Sequence, residues 1–71
     1  MKILLIGSGG REHALAWAIA GSPLTDELVI APGSAAMAAL GRCVDVGAED
    51  MDGLLALAAD ISPDLVVVGP E

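Results

Sequence analysis

With 71 residues, the chain has room for one small domain. An apolar fraction of 55% excludes a disordered segment, and the net charge of −7, from 10 acidic and 3 basic residues, argues against a nucleic-acid partner. Cys43 stands alone, so no internal disulfide can support the fold.

The apolar run at residues 2–6 ends in glycine and predicts a strand covered on both faces. It is too short for the roughly 7–15 residues of a signal-peptide core, and Arg11 and Glu12 follow it closely. Residues 11–20 are rich in Ala and Leu and predict a helix, stopped by Gly21, Ser22 and Pro23. Trp17 within it reads as core packing. Leu28, Val29 and Ile30 predict a second strand, closed by Pro32 and Gly33. Residues 34–40 suggest a short helix, and residues 43–46 a weak third strand containing Cys43 as a small buried hydrophobe. Glu49, Asp50 and Asp52 precede an apolar helical run, where acids complement the positive helix start. Ser62, Pro63 and Asp64 form a turn before a fourth strand, residues 65–68. The longest uncharged stretch, residues 28–41, is broken by Pro32, Gly33 and Ser34 and falls short of the ~18 residues of a membrane span. The composition fits a reducing, cytoplasmic setting.

Strands alternating with helices predict an α/β fold with a doubly wound parallel sheet of about four strands. Strand one should lie between strands two and four, with strand three outside. Ligands in such sheets bind beyond the carboxyl ends of the strands. Three segments qualify: residues 7–11, residues 32–34 and residues 69–71. The fourth strand stops where the sequence stops, so the sheet is expected to be incomplete.

The string Gly7, Ser8, Gly9, Gly10, Arg11, Glu12 joins a strand to a helix. Glycines permit the sharp turn, and free amides at the helix start can meet an anion or a polar sugar. A dinucleotide fingerprint needs glycine at position 12 and an acid at the end of strand two. The chain instead has Glu12, and Ala31 and Pro32. A nicotinamide- or flavin-binding Rossmann module therefore matches less well. Arg11 offers planar donors suited to phosphate or carboxylate, but by itself reads more simply as a solvated helix-start charge pairing with Glu12. His13 reads as a local hydrogen-bonding residue. Glu71, after Gly69 and Pro70, reads either as a carboxylate accepting hydrogen bonds from vicinal ribose hydroxyls or as simply the frayed last residue, and sequence position alone does not separate the two. Asp45, Glu49, Asp50, Asp52, Asp60 and Asp64 lack the spacing of a metal loop. No catalytic or metal-binding residue is assigned.

Residues 2–15, with Gly7, Ser8, Gly9, Gly10, Arg11, Glu12 and His13 at their centre, closely resemble the start of the phosphoribosylamine–glycine ligase family. Ala31, Pro32 and Gly33, and the closing Val68, Gly69, Pro70 and Glu71, resemble it in order and spacing. The family usually continues Pro-Gly with Asn-Ala-Gly, whereas this chain has Ser34, Ala35 and Ala36. The resemblance implies a Rossmann-like pre-ATP-grasp domain that helps hold the ribonucleotide substrate, with residues 1–71 its N-terminal part. The ATP-grasp domain would lie outside this chain. It implies an ATP-dependent enzyme of purine synthesis that joins glycine to 5-phosphoribosylamine through an acyl phosphate, using Mg2+ or Mn2+. The implied substrate-binding residues are Gly9, Gly10, Arg11, Pro32, Gly33 and Glu71. The segment alone should be inactive, and should bind neither ATP nor metal. Its partners would be the small-molecule substrates phosphoribosylamine, glycine and ATP and the rest of its own polypeptide, with no nucleic acid or membrane. Another ATP-grasp ligase or carboxylase shares the glycine loop and the closing carboxylate, and a docking module is the non-enzymatic alternative.

Overall fold

The computed structural model describes residues 1–69. In chain order the elements are β1 (Lys2–Gly7), α1 (Gly10–Ala20), β2 (Glu27–Pro32), a single 3-10 turn (Met37–Ala39), β3 (Arg42–Cys43), α2 (Met51–Ile61) and β4 (Leu65–Val68). The sheet runs β3-β2-β1-β4, and every pairing is parallel. This is the expected order of a Rossmann-like doubly wound sheet. The direction of winding reverses between β1 and β4, so the switch point lies at their carboxyl ends.

Side chains alternate across β1 and β2, so one apolar run feeds two cores. Ile3, Leu5, Leu28 and Ile30 pack with Ala16 of α1 and with Met37. Leu4, Val29 and Ala31 pack on the other face with Leu54, Leu57 and Ile61 of α2. Burying each of the larger side chains contributes roughly 1.5–3 kcal/mol of transfer free energy. The two faces together explain why these strands carry no polar alternation.

Three expectations need correction. Trp17 is 71% exposed, because the buried stripe of α1 runs through Glu12, Leu15, Ala16 and Ile19, and Trp17 falls outside it. The third strand is Arg42–Cys43 and does not extend over residues 43–46. At the sheet edge it has one neighbour; after Val44 donates to Ile30 O at 2.8 Å the chain turns, and Val44 and Val46 pack toward α2. The helix expected at residues 34–40 contracts to the turn at Met37–Ala39, which follows Ser34. The Ser34 carbonyl accepts from Met37 N at 3.1 Å, which binds this segment locally.

The amino end of β1 is fixed by polar contacts. Lys2 N donates to Asp64 Oδ2 at 2.7 Å, Asp64 N returns a bond to Lys2 O at 2.8 Å, and Lys2 Nζ reaches Ile61 O at 2.9 Å. The carboxyl end is held by backbone bonds, Gly33 N to Gly7 O at 3.1 Å and Gly69 N to Ile6 O at 2.8 Å. The glycine loop after β1, the turn at Pro32 and Gly33 after β2 and Gly69 after β4 thus reach one end of the sheet.

Candidate functional site

The site is built where β1 ends and α1 begins. Gly7 has φ +147°, a conformation that glycine tolerates and other residues rarely adopt. It turns the chain so that α1 starts at Gly10 directly beyond the sheet. Gly9 stands at the N-cap, where no side-chain hydrogen bond closes the helix start. The first α1 amide with a turn partner is that of His13, which donates to Gly9 O at 3.0 Å. Among the described residues, the amides of Gly10, Arg11 and Glu12 have no protein acceptor. Unpaired amides at the positive end of a helix dipole are suited to anions and polar oxygens.

Glu12 is the residue that the sequence reading underweighted. Its side chain is 7% exposed, and it is the one buried charged residue among those described. It does not pair with Arg11, which lies exposed; the ion pairs among the described residues are Met1 with Asp26 and Lys2 with Glu27. Instead the Glu12 chain crosses from α1 over the ends of β1 and β4. A Cβ added at Gly7 would meet Glu12 Cγ and lie 2.9 Å from its carboxyl carbon. One added at Gly69 would lie 2.7 Å from Oε1, and one at Gly9 would lie 3.0 Å from Oε2. The three glycines leave the volume that this carboxylate fills. A signal was present in the sequence: Glu12, Leu15, Ala16 and Ile19 form one helical stripe, which points position 12 at the sheet.

Of the residues anticipated from the sequence, Gly9, Gly10 and Arg11 lie exposed at the helix start. Pro32 and Gly33 are half-buried at the end of β2, next to Gly7. Gly33 has φ +71°, and a Cβ there would lie 2.6 Å from Cys43 Sγ, so glycine is required for this turn. Glu71 lies outside the described residues. His13 is exposed. Cys43 is half-buried, with its thiol 3.6 Å from Ser34 O, and serves as packing. Among the described residues no three His, Cys, Asp or Glu side chains converge as a metal site.

A separate apolar groove of about 350 Å3 lies between α2 and β4, lined by Leu4, Ile6, Met51, Leu54, Val66 and Val68. Its lining is apolar, and Glu12 and the glycines of the loop do not contribute to it. No helix among the described residues is long and apolar enough to cross a membrane.

The sequence profile described as "Phosphoribosylglycinamide synthetase, N domain" matches residues 1–71. The chain is 61% identical to a protein of Caulobacter vibrioides named phosphoribosylamine–glycine ligase, over all 71 residues. Identity is 59% with the protein of that name from Phenylobacterium zucineum and 55% with that from Brucella melitensis, again over the whole chain. The chain spans 17% of the length of each of these relatives. It belongs to the phosphoribosylglycinamide synthetase N-domain family.

Proposed function

We propose that this chain is the opening part of a phosphoribosylamine–glycine ligase of purine biosynthesis, and that it holds the ribosyl phosphate substrate. The observation that carries this reading is the uncapped start of α1 at the sheet's switch point, within a chain whose whole length matches the family. The whole enzyme would join glycine to 5-phosphoribosylamine and release glycinamide ribonucleotide. The amides of Gly9, Gly10 and Arg11 hold the sugar-phosphate. Pro32 and Gly33 shape the edge of the crevice, and Glu71 accepts the ribose hydroxyls. These groups orient a substrate and activate none, and orientation alone contributes large effective molarities.

ATP and Mg2+ or Mn2+ would supply activation of the glycine carboxylate. The described residues do not fit either group, because no three potential metal ligands converge and the chain has 3 basic residues in all. Their sites belong to the longer polypeptide, in a separate ATP-grasp domain. We place the enzyme in the cytoplasm. The rival dinucleotide reading is disfavoured by Glu12, whose buried chain fills the place where a dinucleotide fingerprint needs its third glycine.

The test joins residues 1–71 to the remainder of the Caulobacter vibrioides relative. The expected result is ADP formation that requires both glycine and phosphoribosylamine. A folded fusion that forms no glycine-dependent ADP refutes the reading. Glu71→Ala in the same fusion should raise KM for phosphoribosylamine roughly 10-fold, the loss of one charged hydrogen bond.

A further inference from the structure

We infer that Glu12 is a substrate-binding residue whose carboxylate accepts a hydrogen bond from a donor on the ribosyl ring, at C1 or C2. The inference rests on the ribosyl phosphate reading above and assigns a ring contact to a residue that the glycine-loop reading leaves out.

Carboxylates are almost never this buried unless paired. Glu12 is 7% exposed, yet no described residue donates a hydrogen bond to it. Burying such a group without a partner is costly. Among the described residues no side-chain oxygen is both sealed from solvent and without a partner, so an unpaired Glu12 oxygen keeps some exposure. The carboxyl group is anchored on three sides by glycine positions, with Oε1 toward Gly69 and Oε2 toward Gly9. One oxygen therefore faces the end of β4 and the other faces the loop. This places an acceptor pair at the switch crevice, where doubly wound sheets bind ligands.

Charge selects the ligand group. The start of α1 already hosts a negative side chain that its dipole favours. A phosphate placed against Glu12 would meet like charge. The phosphate must therefore sit on the outer amides of Gly9, Gly10 and Arg11, with the sugar ring turned inward. A hydroxyl or amine on that ring supplies the donor that the carboxylate lacks. A ligand with no such donor would leave the acceptor pair unmatched, which is how a polar pocket discriminates.

The fusion described above decides the matter with Glu12→Gln. KM for phosphoribosylamine should rise about 10-fold or more, the range for a hydrogen bond to a charged group. KM for glycine and ATP should stay within about twofold of the unaltered fusion, since both bind elsewhere. Binding of ribose 5-phosphate and 2-deoxyribose 5-phosphate separates the two donor sources. If the C2 hydroxyl is the donor, the unaltered protein prefers ribose 5-phosphate and Glu12→Gln erases the preference. If the C1 substituent is the donor, the two sugars, each with a C1 hydroxyl, bind alike, and both lose affinity together with phosphoribosylamine in the variant. An unchanged KM for phosphoribosylamine overturns the inference, as does a parallel rise of all three KM values with a lowered Tm. Should the variant not fold, the unaltered protein still answers. Equal binding of phosphoribosylamine, ribose 5-phosphate, 2-deoxyribose 5-phosphate and the 1-deoxy analogue overturns the inference. Glycine-dependent ADP formation by the unaltered fusion tests the ligase reading separately, so the two can fail independently.

Discussion

The two helices have the same length, 11 residues each, and opposite beginnings. At α2 the N-cap is Asp50, whose Oδ1 accepts from Gly53 N at 3.0 Å. That helix start is closed by its own sequence. At α1 the N-cap is Gly9, with no side-chain bond. Its acidic residue, Glu12, accepts no hydrogen bond from a described residue and lies across Gly7 and Gly69. A closed helix start serves stability, whereas an open one over a glycine cradle keeps polar groups free for a ligand. The difference singles out the candidate site without reference to the family.

The strongest challenge to this contrast is a methyl group in the cradle. Gly7→Ala combines a positive φ with a collision against Glu12, and should destabilise the chain by about 3–5 kcal/mol. Gly69→Ala carries the collision alone and should lose about 1–3 kcal/mol. Combining it with Glu12→Ala should recover much of that loss, whereas the second substitution should rescue Gly7→Ala poorly. Denaturant unfolding of the three single and two double variants measures both couplings. Additive effects at Gly69 would show that Glu12 does not occupy the cradle.

At the closed helix, Asp50→Ala should lose about 1 kcal/mol, the usual worth of an N-cap. Ligand affinity in the fusion should be unchanged. Gly10→Ala sharpens the comparison at the open helix. An added Cβ there meets nothing within 4 Å, and the position is helical. Stability should rise by about 0.4–1 kcal/mol through a less flexible unfolded chain. A drop in Tm would mean that the helix start needs glycine for its own conformation.

The smallest effect concerns pH. The N-terminal ammonium donates to Asp26 Oδ2 at 2.6 Å, and this hydrogen bond and the charge attraction hold the Asp26 carboxyl below its ordinary value. A depressed folded value means that the unfolded state binds the proton more readily. The contribution is therefore complete above the ordinary aspartate range near pH 3.9 and is lost as pH falls through the lower folded value. The pair is solvent-exposed, so Asp26→Asn should flatten the acid limb of a Tm-against-pH curve only slightly. A shift near neutral pH would contradict this assignment.

The neighbouring strands repeat the lesson in apolar terms. Val29 and Ile30 of β2 are fully buried, while Val68 of β4 is 70% exposed. Both strands read as the same kind of apolar run. Their difference comes from α2, which covers β1 and β2 and leaves part of β4 open. The same reasoning separates Trp17 from Ala16, adjacent residues on opposite sides of the α1 stripe.

By itself the sequence determined the order of strands and helices, the parallel sheet and the glycine turn, because apolar period and chain-breaking residues act over a few neighbours. It also determined the 3-2-1-4 strand order, through the topology rules of crossover connections. The two-residue β3, the exposure of Trp17 and the burial of Glu12 were decided by tertiary structure. Gly69 reaches Glu12 only after β4 pairs with β1, so a carboxylate that looks like a surface charge becomes a cradled one. Local patterns set which face of an element is apolar; the elements that come to lie beside it set what that face can do.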